Sequence, residues 1–111
     1  MKLLPIDINQ VSQAATGDYT NLALSVVNDQ VIRMSVMTRP YYWHYHPNSD
    51  ESFLGLEGIL IIELENQTIE LYPGQLITIP KGMPHKTRPK NQRSVNLTFE
   101  HQHMETSIIG E

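Results

Sequence analysis

Interruption is what most constrains the fold of this chain. Seven Pro and six Gly punctuate 111 residues, and most of them fall between Pro40 and Pro89. Pro and Gly are the strongest local breakers of regular structure. Between them lie short β-branched runs with little 3.6-residue periodicity, which is the pattern of an all-β chain. Leu22 to Val27 and Val31 to Met37 flank Asn28-Asp29-Gln30, a hairpin connection. Ile59 to Leu64 and Thr68 to Leu71 flank Glu65-Asn66-Gln67 in the same way. Pro73-Gly74 and Pro80-Lys81-Gly82 read as turns bounding a strand over Gln75 to Ile79. Val95, Leu97 and Phe99 alternate with Asn96, Thr98 and Glu100, which predicts a half-buried strand. The first twenty residues read as an edge strand plus a turn around Gly17-Asp18. The sum is a sandwich or barrel of about eight or more short antiparallel strands.

A chain of 111 residues is one domain's worth, and its 40% apolar and 18% charged residues fit a globular protein. The organisation expected is a single domain over 1–111, with an N-terminal arm over about 1–20, a barrel over about 21–100 and a short C-terminal tail. Eight basic against twelve acidic residues give a net charge of −4. That balance argues against a nucleic-acid-binding surface and against docking on an anionic membrane. Cysteine is absent, which removes disulfides, thiolate ligands and cysteine nucleophiles. Met1 to Gln10 lacks the apolar stretch of a signal peptide, and no run reaches the length of a membrane span, so a cytoplasmic protein is expected. In the strand from Ile59, residues Leu60, Ile62 and Leu64 face one side while Ile59 and Ile61 face the other. A strand apolar on both faces is covered on both, and a homodimer or a local segment of the same chain would supply the second cover.

Of five histidines, His44 and His46 stand two apart, a spacing that puts both imidazoles on one face of a strand. After His46 come four residues, then Glu51, then six residues, then Gly58. Gly74 is followed by five residues, then Pro80, Lys81, Gly82, two residues and His85. In these two stretches the chain resembles the cupin superfamily, whose motifs have the spacings H-x-H-x(3,4)-E-x(6)-G and G-x(5)-P-x-G-x(2)-H-x(3)-N. A chance match at all these positions is improbable. The chain departs at two points: Thr38 stands where a glycine often leads the first motif, and Pro89 where an asparagine ends the second.

The resemblance implies an all-β double-stranded β-helix, the jelly-roll cupin barrel. It also implies metal ligands His44, His46 and Glu51 from the first motif and His85 from the second. Such a mixed nitrogen and oxygen set suits a divalent transition metal, Fe, Mn, Ni, Cu, Co or Zn. Tyr42 shares the parity of His44 and His46, and Phe53 and Gly55 that of Glu51, so these three are candidates to line a pocket. Trp43 and Tyr45 point the opposite way. His101 and His103 form a second H-x-H, read as a solvated tail or strand end. Lys81, Lys86, Arg88, Lys90 and Arg93 form the one basic cluster, expected on a solvated loop near His85. No Ser-His-Asp arrangement, phosphate loop or paired-carboxylate spacing stands out, so chemistry would rest on the metal. The functions expected are metal-dependent dioxygenase- or isomerase-type action on a small organic molecule, or non-catalytic binding of a small molecule or metal.

Overall fold

The computed structural model describes residues 1–110, and in it the interrupted pattern becomes one short helix and ten strands. In chain order these are α1 (Ile8–Ala14), β1 (Tyr19–Val27), β2 (Gln30–Met37), β3 (Trp43–Tyr45), β4 (Glu51–Glu57), β5 (Leu60–Glu63), β6 (Thr68–Leu71), β7 (Leu76–Ile79), β8 (Lys86–Pro89), β9 (Ser94–His101) and β10 (Ser107–Gly110). One sheet has the order β1-β2-β9-β4-β7, and its pairings are antiparallel. The other layer combines β6-β5-β8 with β10-β3. These two parts meet where His44 N donates to His85 O (3.0 Å) and His85 N donates to His44 O (2.9 Å). The result is a β-sandwich of double-stranded β-helix type, as the motif resemblance implied.

The hairpins form where the turn chemistry put them. β1 and β2 pair from Val27↔Gln30 outward, and Asn28 takes the left-handed conformation (φ 55) that tightens this turn. β5 and β6 pair from Glu63↔Thr68. Two segments depart from the sequence reading. The N-terminal region carries no edge strand before Tyr19. It forms helix α1 instead, capped by Asp7, whose carboxylate accepts from Gln10 N at 3.1 Å. Ile8, Val11 and Ala15 pack on the outer face of the five-stranded sheet, against Met34, Val36, Val95 and Leu97. The C-terminal tail is also ordered into a strand: β10 pairs with β3, matching Ser107 with Tyr45 and Ile108 with His44.

Helix α1 also changes the meaning of β9. The alternation of Val95, Leu97 and Phe99 was expected to leave the intervening polar residues half exposed. Yet β9 lies between β2 and β4, and its apolar face meets the helix layer outside. Asn96, Thr98 and Glu100 therefore face inward, at 1%, 2% and 2% exposure. The interior divides in two. Leu60, Ile62, Leu71 and Ile79 fill an apolar end with Met37 and Phe53, and the other end is polar.

On β5, Ile61 faces outward yet is buried within the single chain. Its register neighbours are Glu70 and Arg88. Ion pairs join Lys90, just past β8, to Glu70 of β6 (2.9 Å) and Arg88 of β8 to Glu63 of β5 itself (3.6 Å). A second subunit is therefore not needed to cover Ile61. Three of the five residues of the basic cluster take part in such pairs. Together with Arg93, 3.4 Å from Glu57, Arg88 and Lys90 are tied to acidic neighbours instead of lying on a free solvated loop. No helix of the described residues is long and apolar enough to cross a membrane.

Candidate metal centre

Each side chain of the first motif is aimed by its place on a strand. His44 is central in β3, and His46 follows one residue past its end with the parity intact. Glu51 opens β4. His85 immediately precedes β8 and is paired with His44 through both backbone bonds. The four are buried, His85 to 1% exposure and Glu51 to 8%. The three imidazole rings lie close together at steep angles to one another, with centroids 4.2 Å apart for His44 and His85, 4.9 Å for His44 and His46, and 5.3 Å for His46 and His85. One nitrogen from each histidine and one carboxylate oxygen of Glu51 all lie within 4.8 Å of one another.

The outer nitrogens of these rings are committed. His44 Nδ1 donates to Tyr42 O (2.7 Å), His85 Nδ1 to Met83 O (2.9 Å) and His46 Nδ1 to Glu105 O (3.0 Å). The Thr106 hydroxyl stands 3.1 Å from the same nitrogen of His46. Backbone carbonyls that accept from Nδ1 fix the tautomer and turn the Nε2 lone pair the other way. Inward, His46 Nε2 and His85 Nε2 stand 3.0 and 3.3 Å from the same Glu51 Oε1. A lone pair facing a carboxylate oxygen at that distance requires a positive charge between them, either a proton on the ring or a metal ion. The donor set therefore fits a transition metal.

Electrostatics expresses the same demand. Burial would raise the Glu51 pKa, but hydrogen bonds to His46 and His85 outweigh it and hold the carboxyl at about 2. Burial would lower that of His46, but its bond to Glu51 and the carboxylate charge raise it. His44 has no such partner, and burial lowers it to about 4. In chelator-treated protein a folded pKa of about 4 for His44 against 6.5 unfolded means that the unfolded chain takes up this proton first as pH falls. The stability contributed by neutral His44 is thus present above about pH 6.5 and lost as pH falls toward 4. Melting curves between those values should show a declining Tm, and His44→Gln should flatten that slope. Equal slopes in the two proteins would show that another group carries the acid response.

Beside the four residues lies a cavity of about 280 Å³. Phe53 lines it, with its ring edge-on to His85 at 6.2 Å. Of the other two expected lining residues, Tyr42 is 46% exposed and lies outside the wall. Tyr41 takes its place, edge-on to His44 at 4.9 Å. Residues 38–42 are not a strand, so the parity counted back from His44 stops at Trp43. Gly55 is likewise absent from the wall. Its backbone sits against Tyr72, so closely that a Cβ there would fall 2.5 Å from Tyr72 O. Opposite the histidines, Arg33, Ser35, Asn96, Thr98 and Glu100 form a polar wall that sequence reading missed. Burial and then the Glu51 charge raise the Glu100 pKa, against the pull of Thr98 and Arg33. His101 reaches the cavity rim, but neither it nor His103 joins the metal-ligating group.

Residues 31–99 match the family described as Cupin domain (Cupin_2). The uncharacterized protein YdbB of Bacillus subtilis (strain 168) is 45% identical over 94 residues, covering 84% of this chain and 82% of that protein. The polyketide synthase CurC of Streptomyces cyaneus is 26% identical over 92 residues, which cover 83% of this chain and 53% of CurC. Among solved structures, a cupin-2 domain containing protein from Shewanella frigidimarina superimposes with a TM-score of 0.81 at 27% identity, covering 87% of this chain and 94% of that one.

Proposed function

This chain belongs to the cupin domain family, and from that premise we propose that it is a metal-dependent cupin acting on a small organic molecule inside the barrel. The observation that carries the reading is the pair of inward nitrogens, His46 Nε2 and His85 Nε2, set against one carboxylate oxygen of Glu51. With His44, these residues would hold a divalent transition metal through three imidazoles and a carboxylate, a donor set suited to Fe, Mn, Ni, Cu, Co or Zn. A metal bound there would supply Lewis acidity or, if redox-active, access to dioxygen, which corresponds to isomerase- or dioxygenase-type chemistry.

The chain's own residues do the rest. The carbonyls of Tyr42, Met83 and Glu105 orient the imidazoles. Met37 and Phe53 close the cavity on its apolar side and keep water from that flank. Tyr41 packs its ring on His44 and brings a phenol to the cavity wall.

Elemental mass spectrometry of untagged protein, followed by loading of the stripped chain with each candidate metal, tests the proposal. The expected result is close to one ion per chain, with oxygen uptake or product formation when small organic molecules are added to the iron or manganese form. No ion taken up from any of the six metals would remove the metal reading. One ion with no turnover would make the chain a metal-dependent binding module.

A further inference from the structure

We propose that the inward face of β9 is a ligand subsite for a small uncharged molecule carrying several hydroxyl groups. This rests on the reading of the cavity as the place where an organic molecule binds, and it names the chemistry of that molecule. Asn96, Thr98 and Glu100 sit at alternate positions of one strand, are at most 2% exposed and line the cavity. Each ends in an atom without a hydrogen-bond partner: Asn96 Oδ1, Thr98 Oγ1 and Glu100 Oε1. The Thr98 hydroxyl lies beside the Glu100 carboxylate but makes no well-formed hydrogen bond to it. A buried polar atom without a partner loses its hydration for no return, and valine or leucine would fill such positions better in a purely structural barrel. Three in a row on one cavity wall point to partners that arrive from outside the chain.

The neighbouring row settles the chemical class. On β2, Ser35 is in register with Asn96 and Arg33 with Thr98. That row is already bonded: Arg33 Nε to Glu100 Oε2 at 3.0 Å, and Asn21 Nδ2 to Ser35 Oγ at 3.2 Å. One hydrogen of the Asn96 amide nitrogen is used too, donating to Leu97 O at 3.3 Å. The open atoms are two acceptors and one hydroxyl, while the second hydrogen of Asn96 Nδ2 and the hydroxyl hydrogen of Ser35 stay free to donate, so their complement is a group that both donates and accepts, as a hydroxyl does. Arg33 already balances the Glu100 charge. A cationic ligand would meet that guanidinium, and an anionic one would meet Glu51 and Glu100, so a neutral donor is favoured. Side chains at alternate positions stand about 7 Å apart along the strand, a spacing that hydroxyls several carbons apart on an extended polyol can span. A cavity of about 280 Å³ admits a molecule of on the order of ten non-hydrogen atoms, taking ~30 Å³ for each water-sized group.

Xylitol and glutarate, of similar length, the first neutral and rich in donors and the second a dianion that only accepts, are the probes. In the isotope-labelled full chain, xylitol should shift the backbone amides of β9 and β2, and glutarate should leave them in place. Thr98→Val should weaken the xylitol response about five-fold or more, the loss of one hydrogen bond. The Tm of this variant without xylitol should equal or exceed that of the wild type, because a partnerless hydroxyl has been removed. Asn96→Leu should behave alike, and it serves if the Thr98 variant does not fold. The proposal is overturned if glutarate binds more tightly than xylitol, or if xylitol produces no shifts on these strands. It is equally overturned if Thr98→Val lowers the Tm by several degrees with xylitol binding unchanged, which would make the hydroxyl structural. Ion content measured on the same samples separates the two readings. Xylitol shifts on a chain that takes up no metal would leave this subsite standing and remove the metal.

Discussion

His46→Ala, stripped with a chelator and reloaded, should bind a divalent transition metal at least about 100-fold more weakly than the wild type. Loss of an outer hydrogen bond to a metal-ligating histidine costs ~10–100-fold in affinity, and loss of the imidazole itself removes more. His46 is held from outside by Glu105 O and the Thr106 hydroxyl, and it faces Glu51 at 3.0 Å. The variant therefore leaves Glu51 in contact with His85 alone. Glu51→Gln is the companion, since it keeps the shape and removes the charge, and its affinity should fall as well. Competition against a fluorescent chelator reads both. Affinity close to wild type in His46→Ala would take this residue out of the ligand set, and unchanged affinity in Glu51→Gln would reduce the set to imidazoles.

Gly58→Ala should cost about 3 kcal/mol or more, lowering the Tm by on the order of 10 °C or more for a chain of this size. Gly58 adopts φ 68 in the link between β4 and β5, and a Cβ there would run into the carbonyl oxygen of Arg93. That oxygen belongs to backbone leading into β9, so it cannot swing aside as a flexible side chain would. Gly82 provides the control. It has a similar φ of 81 but nothing within 4 Å of its absent Cβ, so Gly82→Ala carries only the backbone strain, roughly 1 kcal/mol. Chemical denaturation of the two variants separates these terms. Equal losses would mean that the close approach to Arg93 contributes nothing and that the left-handed backbone is the whole reason for glycine at 58.

The parts of the fold legible in the sequence are those fixed by local chemistry. Asn28-Asp29 and Pro73-Gly74 are turn signals of the chain itself, and the resemblance carried by the two motifs implied that His44, His46, Glu51 and His85 share a destination, where the fold brings them together. What was illegible depends on neighbours distant in the chain. A seven-residue helix has too few residues for a periodic signal, so α1 was hidden behind Ile8, Val11 and Ala15. Without α1, the alternation in β9 gave the right period but not that both faces are covered. Residues 38–42 are irregular, so parity pointed to Tyr42 where the fold uses Tyr41. Lys90 and Arg93 find Glu70 and Glu57 only once strands separated in sequence are assembled.

The reciprocal backbone bonds between His44 and His85 belong to architecture and chemistry at once. They stitch the two parts of the second layer at a seam, and the residues that form the stitch are the ones that carry two of the inward rings. Any fluctuation that unzips this seam also separates the donor atoms, and any ion gripped by both rings would act as a rivet across it. Retention of an ion and closure of this corner of the barrel are then a single equilibrium, in which whatever tightens one tightens the other.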